Sequence, residues 1–143
     1  MADRLTPIQR RYCMSRVHGK HTIPELRVRS ALYHLGYRFR LHRADLPGRP
    51  DIVLPKCRAV IFVHGCFWHG HKGCQRSTRP ASNVAFWNKK LDRNITRDQE
   101  IQSALRALGW SVITIWECQV RTKELIARLR RALSRTRIDC GDT

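Results

Sequence analysis

The 143-residue chain has no apolar run of 18 residues or more, the least a membrane-crossing helix needs. Its first residues, MADRLTPIQRRYC, lack the apolar stretch of a secretory signal, so the expectation is a cytoplasmic protein without a membrane role. Internal repeats and low-complexity tracts are also missing. Acidic residues are scarce: 11 Asp and Glu stand against 28 Lys and Arg, a formal charge of +17. Such an excess points to a polyanionic partner such as nucleic acid rather than a small acidic metabolite. The charge is spread over the chain, because residues 1–22 carry five basic groups and one acid, and residues 120–143 carry seven and three. The length suits one domain, and 42% apolar content is enough for its core.

What is present arranges itself as alternating helices and strands. Residues 1–21 are polar and basic without period and read as an N-terminal arm, with residues 137–143 as a short tail and 22–136 as the domain between them. Thr22-Ile23-Pro24-Glu25 is a capping-box pattern before Val28, Ala31, Leu32 and Leu35, predicting a helix over 24–35 that stops at Gly36. A weak strand over 37–42 precedes the turn segment DLPGRP (45–50). The runs 51–54 and 59–63 read as central strands around a Pro55-Lys56-Cys57 turn, and 110–116 as a third. Between them a long helix is predicted from about 82 or 83 to 108, which suits a parallel pairing of 59–63 with 110–116. A basic amphipathic helix over 123–133 closes the set, giving an α/β layered arrangement with a small mixed sheet.

Three groups of residues carry chemistry. The segment from His64 to Cys74 holds two cysteines and three histidines. Six cysteines could form three disulfides, but without signs of secretion metal binding is the better reading. Cys66, Cys74, one histidine and the distant Cys118 supply the four soft ligands of a structural zinc ion, clamping the loop to the end of the last strand; the bland alternative is an ordinary buried Cys118. Asp51 ends a turn, and the hairpin sets it across from residues 61–64, where it and the main-chain carbonyl of Val63 could hold magnesium for phosphodiester hydrolysis. Asp98 falls inside the apolar stripe of the long helix (Trp87, Leu91, Ile95, Ile101, Leu105, Leu108), whereas Lys89, Arg93, Arg97 and Glu100 fall outside. A carboxylate aimed inward needs a partner, either a histidine of the 64–71 loop, giving a general acid/base, or an arginine. Glu25 is explained by capping alone. Met14, Phe67, Trp68 and Trp87 are apolar groups among cations, the kind that wedge between base pairs, although Trp87 also suits a core position.

Together DLPGRPDIVLP (45–55), VIFVHGCFWHGH (60–71), FWNKKLDRNITRD (86–98) and GWSVITIWEC (109–118) resemble the very short patch repair endonucleases, the Vsr family, over about residues 10–120. The resemblance implies a restriction-endonuclease-like, PD-(D/E)xK-related three-layer fold. The implied activity is Mg²⁺-dependent nicking of double-stranded DNA 5′ to the thymine of a T·G mismatch left by 5-methylcytosine deamination. It implies Asp51 and Val63 as magnesium ligands, His69 as the acid/base group paired with Asp98, His64 and Glu25 completing the site, and zinc on Cys66, His71, Cys74 and Cys118. Phe67, Trp68, Trp87 and Met14 would intercalate. Cys13, Cys57 and Cys140 are left without a metal role. A MutL-type repair factor, a cognate cytosine methyltransferase, a bacterial nucleoid setting and action as a monomer are further implications. Val63 stands where some members have threonine, and Gly73 lengthens the loop by one residue. No Glu-x-Lys follows Asp51; Phe62-Val63-His64 stands there instead. The rival readings are a non-catalytic zinc DNA-binding module and a nuclease with another substrate.

Overall fold

The computed structural model describes residues 22–134, so the expectations for the arm with Met14 and for the C-terminal tail lie outside the described residues. Helix α1 (Ile23–His34) begins where Thr22, extended, accepts the Glu25 amide on its hydroxyl, and Pro24 occupies the first turn, where its missing N–H costs nothing. It ends at Gly36, φ +88°: the Gly36 amide donates to Tyr33 and the Tyr37 amide to Leu32, a Schellman closure that a side chain at Gly36 would strain. The same closure, at Gly109 with Trp110 donating to Leu105, ends the long helix α2 (Val84–Ala107).

Four strands form one sheet in the order β1 (Arg40–Leu41), β2 (Ile52–Leu54), β3 (Ala59–His64) and β4 (Ser111–Trp116). β1–β2 and β2–β3 are antiparallel, and β3–β4 is parallel through the α2 crossover. The β2–β3 register pairs Ile52 with Ile61 and Leu54 with Ala59, and β3–β4 pairs His64 with Trp116. The weak strand expected over 37–42 shrinks to two residues, and a short helix α3 (Glu117–Val120), not anticipated from the sequence, precedes α4 (Leu125–Ser134).

Alternation along the strands divides the core in two. Ile52, Leu54, Ala59, Ile61, Ile113 and Ile115 face α1 and α4, meeting Val28, Leu32, Leu129 and Leu133. Val53, Val60 and Phe62 face the other way and meet Leu105 and Trp110. Both faces are covered, which is why the strands read as continuous apolar runs. This is the three-layer α/β arrangement expected from the sequence. The stripe of α2 is less buried than its pattern suggested: Leu91 and Leu105 are enclosed, but Ile95 and Ile101 are half-buried, and Leu108, the C-cap, is 54% exposed. Ile95 and Ile101 also serve the loops, Ile101 while packing against the cluster of Val53, Phe62 and Leu105. Gly70 (φ +64°) and Gly48 (φ +73°) are pressed so closely against them that a Cβ would lie 2.6 Å and 2.4 Å from their side chains. Thus α2 seats both loops that border the end of the sheet.

Candidate active site

At the carboxyl ends of β3 and β4 the sheet opens into a cleft of about 560 Å³, lined by Asp51, His64, His69, Asp98 and Glu25 among others. Asp51 leads into β2 and accepts the Val63 amide on its carboxylate at 2.8 Å, which fixes it against the last residues of β3. Burial pushes its carboxyl above the usual range, opposed by the Val63 amide and by the nearby His42, His69 and Arg29. A group so placed gains from a bound cation.

His69 sits in the turn after β3, its amide donating to Gly65, and its Nδ1 lies 2.6 Å from Asp98 Oδ2 on α2. Of the two partners the sequence left open for Asp98, histidine or arginine, the structure gives it histidine. Asn94, one turn earlier on α2, donates to the Trp68 carbonyl at 3.2 Å and holds the same turn. The His64 ring is buried and stacks face to face on His69, with centroids 3.8 Å apart and planes within 7°. Burial, with the neighbouring His69, lowers the His64 pKa to about 4, so this ring is neutral near pH 7.

Glu25 corrects the sequence reading. Its amide is capped by Thr22, yet its carboxylate does not turn back to the cap: it is 2% exposed and is held by Arg29 and, at 3.0 Å, by His42 Nε2. Capping therefore does not explain it. A carboxylate this buried persists because both oxygens are paired with donors.

The cysteine group assembles across 53 residues of chain. Cys66, His71, Cys74 and Cys118 each offer a ligand atom within 4.8 Å of the others, and the His71 Nδ1 lies 3.6 Å from Cys66 Sγ and 3.5 Å from Cys118 Sγ. In a tetrahedron with Zn–S of about 2.3 Å and Zn–N of about 2.0 Å, sulfur and nitrogen stand about 3.5 Å apart, so the donor set fits that ion's size and softness. Burial, together with the neighbouring thiols, pushes Cys66 up to about 12, a shift a divalent cation reverses. The His71 ring stacks on Trp116 at 4.2 Å, while Ser77 donates to the carbonyls of His71 and Cys74. Cys57 stands apart from this group, buried in the core.

Beside the cleft, Phe67, Trp68 and Trp87 form one cluster, with centroid separations of 5.1–5.9 Å. All three are half-buried, so Trp87 belongs to this surface cluster and not to the core that its helical spacing also allowed. Sequence reasoning missed Phe86, 56% exposed against Trp87, and Lys90, whose ammonium lies 5.4 Å from the Trp68 ring. It also missed Arg49 and Arg97 on the cleft wall, and Glu117, which accepts the Cys66 amide at 3.3 Å. The arginines were hidden among many cations. Glu117 carried a signal in its place beside Cys118.

A family described as "DNA mismatch endonuclease Vsr" matches residues 2–76. The chain is 53% identical to the type II nicking enzyme V.XorIIP of Xanthomonas oryzae pv. oryzae over 134 residues, 93% of this chain and 98% of that one. It is 42% identical to the DNA mismatch endonuclease Vsr of Escherichia coli K12, covering 87% and 79% of the two chains, and 40% identical to the nicking enzyme V.NmeAIP of Neisseria meningitidis, covering 87% and 89%.

Proposed function

The chain belongs to the Vsr family of DNA mismatch endonucleases, and from that premise we propose that it hydrolyses one phosphodiester 5′ to the thymine of a T·G mismatch. The coarser statement needs no proposal: it is a DNA-nicking endonuclease, and its sheet with flanking helices is the restriction-endonuclease-like fold of that family. The observation that carries the finer reading is the meeting of Asp51 with the His69–Asp98 pair in one cleft beside an aromatic cluster.

Asp51 and the main-chain carbonyl of Val63 would hold a magnesium ion, with most of its coordination left to water and phosphate, as this ion prefers. Bound there, it would supply charge for the developing phosphorane and lower the pKa of a coordinated water. A valine at position 63 costs nothing for such a ligand, since the carbonyl is common to every residue. Because Asp98 accepts from Nδ1–H of His69, that ring presents its Nε2 as the free base, able to take a proton and return it. The neutral His64 stacked on it limits its tilt without adding positive charge. Arg49 and Arg97 on the cleft wall suit the flanking phosphates.

Zinc on Cys66, His71, Cys74 and Cys118 would fix the loop carrying His69, Phe67 and Trp68. Those two rings and Trp87 would enter the base stack, joined by Met14 of the arm. A wobble pair is cheaper to unstack than a Watson–Crick pair, which gives the wedge its preference for the mismatch. Action as a monomer in the bacterial cytoplasm, and cooperation with a MutL-type factor, complete the proposal. Among the described residues no helix is long and apolar enough to cross a membrane.

The test uses end-labelled duplexes differing only in one T·G versus C·G pair, with Mg²⁺ or EDTA, and Asp51→Ala beside the native protein. Nicking of the T strand that requires the mismatch, Mg²⁺ and Asp51 is expected. Equal nicking of both duplexes would overturn the substrate, and binding without cleavage would leave only a DNA-binding zinc module.

A further inference from the structure

The loop between β1 and β2 places a histidine where the proposed reaction gives it no role. His42 directly follows β1, opposite Asp51 in the register set by Leu41 and Ile52, and its amide donates to the Asp51 carbonyl at 3.2 Å. Its ring is only 10% exposed, and Nε2 contacts Glu25 Oε1 at 3.0 Å. One residue thus bonds α1 and the start of β2 together. Its backbone is left-handed, φ +47°, a conformation that costs a non-glycine residue energy and that a site retains when the surroundings impose it. A carboxylate oxygen of Glu25, a ring nitrogen of His42 and a carboxylate oxygen of Asp51 all lie within 4.8 Å of one another.

We infer that His42 is a positioning residue for the nicking reaction: its imidazole takes one oxygen of the buried Glu25 and holds that carboxylate towards Asp51. Arg29, from the next turn of the same helix, holds the other oxygen. Without the imidazole, both oxygens of Glu25 are free to swing to the Arg29 guanidinium, which can donate to the two oxygens of one carboxylate at once, and the carboxylate turns from the cleft. Glu25 is then no longer held beside Asp51, where it would orient water around a metal ion that Asp51 binds. The inference rests on the reading of Asp51 as the metal-side carboxylate.

His42→Asn and His42→Gln separate positioning from packing. Asparagine tolerates the left-handed backbone but is too short to reach Glu25; glutamine extends an amide donor to about the place of Nε2. Single-turnover nicking of a T·G duplex across a Mg²⁺ titration is the readout, with DNA affinity in EDTA and the melting temperature measured alongside. His42→Asn is expected to lose about 10- to 100-fold in rate or in Mg²⁺ half-saturation, the usual effect of removing a partner that orients a metal-site carboxylate. DNA affinity stays unchanged, and His42→Gln recovers most of the loss. In a Glu25→Ala background His42→Asn adds nothing further, because its effect passes through Glu25. A wild-type rate from His42→Asn, equal defects in the two variants, or additive effects with Glu25→Ala would each overturn the inference. Asp51→Asn run beside them separates the two readings: if it nicks at the wild-type rate, the metal assignment itself fails, whereas dependence on Asp51 with an indifferent His42→Asn counts against His42 alone.

Discussion

Within a few residues of the end of β3 the chain passes from one kind of stability to another. Of the six residues of β3 five are buried, and they pack between α1 and α4 on one side and α2 on the other. From Gly65 to Asn83 only Cys66 is buried. The strand is held by apolar area removed from water, a contribution of about 25 cal/mol per Å² that depends on no single partner. The loop is held by point contacts: the cysteine and histidine group, the Ser77 hydroxyl shared between the His71 and Cys74 carbonyls, the Asn94 bond to Trp68, and the Arg79–Asp92 pair at its far end. A nonspecific force suffices to build the platform. Aiming His69 and two aromatic rings requires contacts that are few and directional, and each of those can be removed separately.

The largest effect is expected where the two regions meet. His69→Ala removes the group that spans them, and the nicking rate at saturating Mg²⁺ should fall by about 10²- to 10⁴-fold, the range for a general acid/base, with little change in the melting temperature. A large fall in melting temperature would mean that the pair with Asp98 serves the fold instead. Next in size is Cys118→Ala, or treatment with a chelator. Metal content should drop from one zinc per chain to none and nicking by about 10- to 100-fold or more, while the far-ultraviolet circular dichroism of the sheet and helices persists. Loss of the sheet signal together with the zinc would show that the loop and the platform are one cooperative unit. Leu129→Ala reverses the pattern: a fully buried side chain under the sheet is lost, stability falls by about 2–5 kcal/mol, and nicking well below the melting temperature is unchanged.

The platform was far easier to read from the sequence than the loop. The runs at 51–54, 59–63 and 110–116, a capped α1 and the glycine stops at Gly36 and Gly109 are local signals, and each of these elements formed within a few residues of its expected place. Asp98 was legible too, because a carboxylate within an apolar stripe breaks a pattern. The contacts of Glu25 were not. Thr22 and Glu25 have capping-box spacing whether or not the carboxylate turns back, and the residue that takes it, His42, is placed by the register of a two-residue strand across a ten-residue connection. No turn type fixes that register from sequence. Phe86 was hidden for a different reason: it adjoins Trp87 in a helix, and the spacing shows which residues share a face without showing whether that face is covered.

A smaller effect tests whether the loop takes its position from α2. Gly70 combines φ +64° with a missing side chain, and a Cβ there would lie 2.6 Å from Ile95 Cδ1. Gly70→Ala therefore meets two penalties, left-handed strain of about 1–2 kcal/mol and a clash that only movement of Ile95 or of the loop can relieve. If the loop yields, His69 withdraws from Asp98 and the nicking rate falls several-fold with hardly any change in melting temperature, because the sheet does not share the strain. Ile95→Val in the same chain removes the atom that clashes and should restore part of the rate, leaving the backbone strain. If Gly70→Ala instead lowers the melting temperature as Leu129→Ala does, and Ile95→Val does not relieve it, the loop is packed into the core more tightly than its exposure indicates, and the contrast with β3 fails at the point where the loop touches the helix.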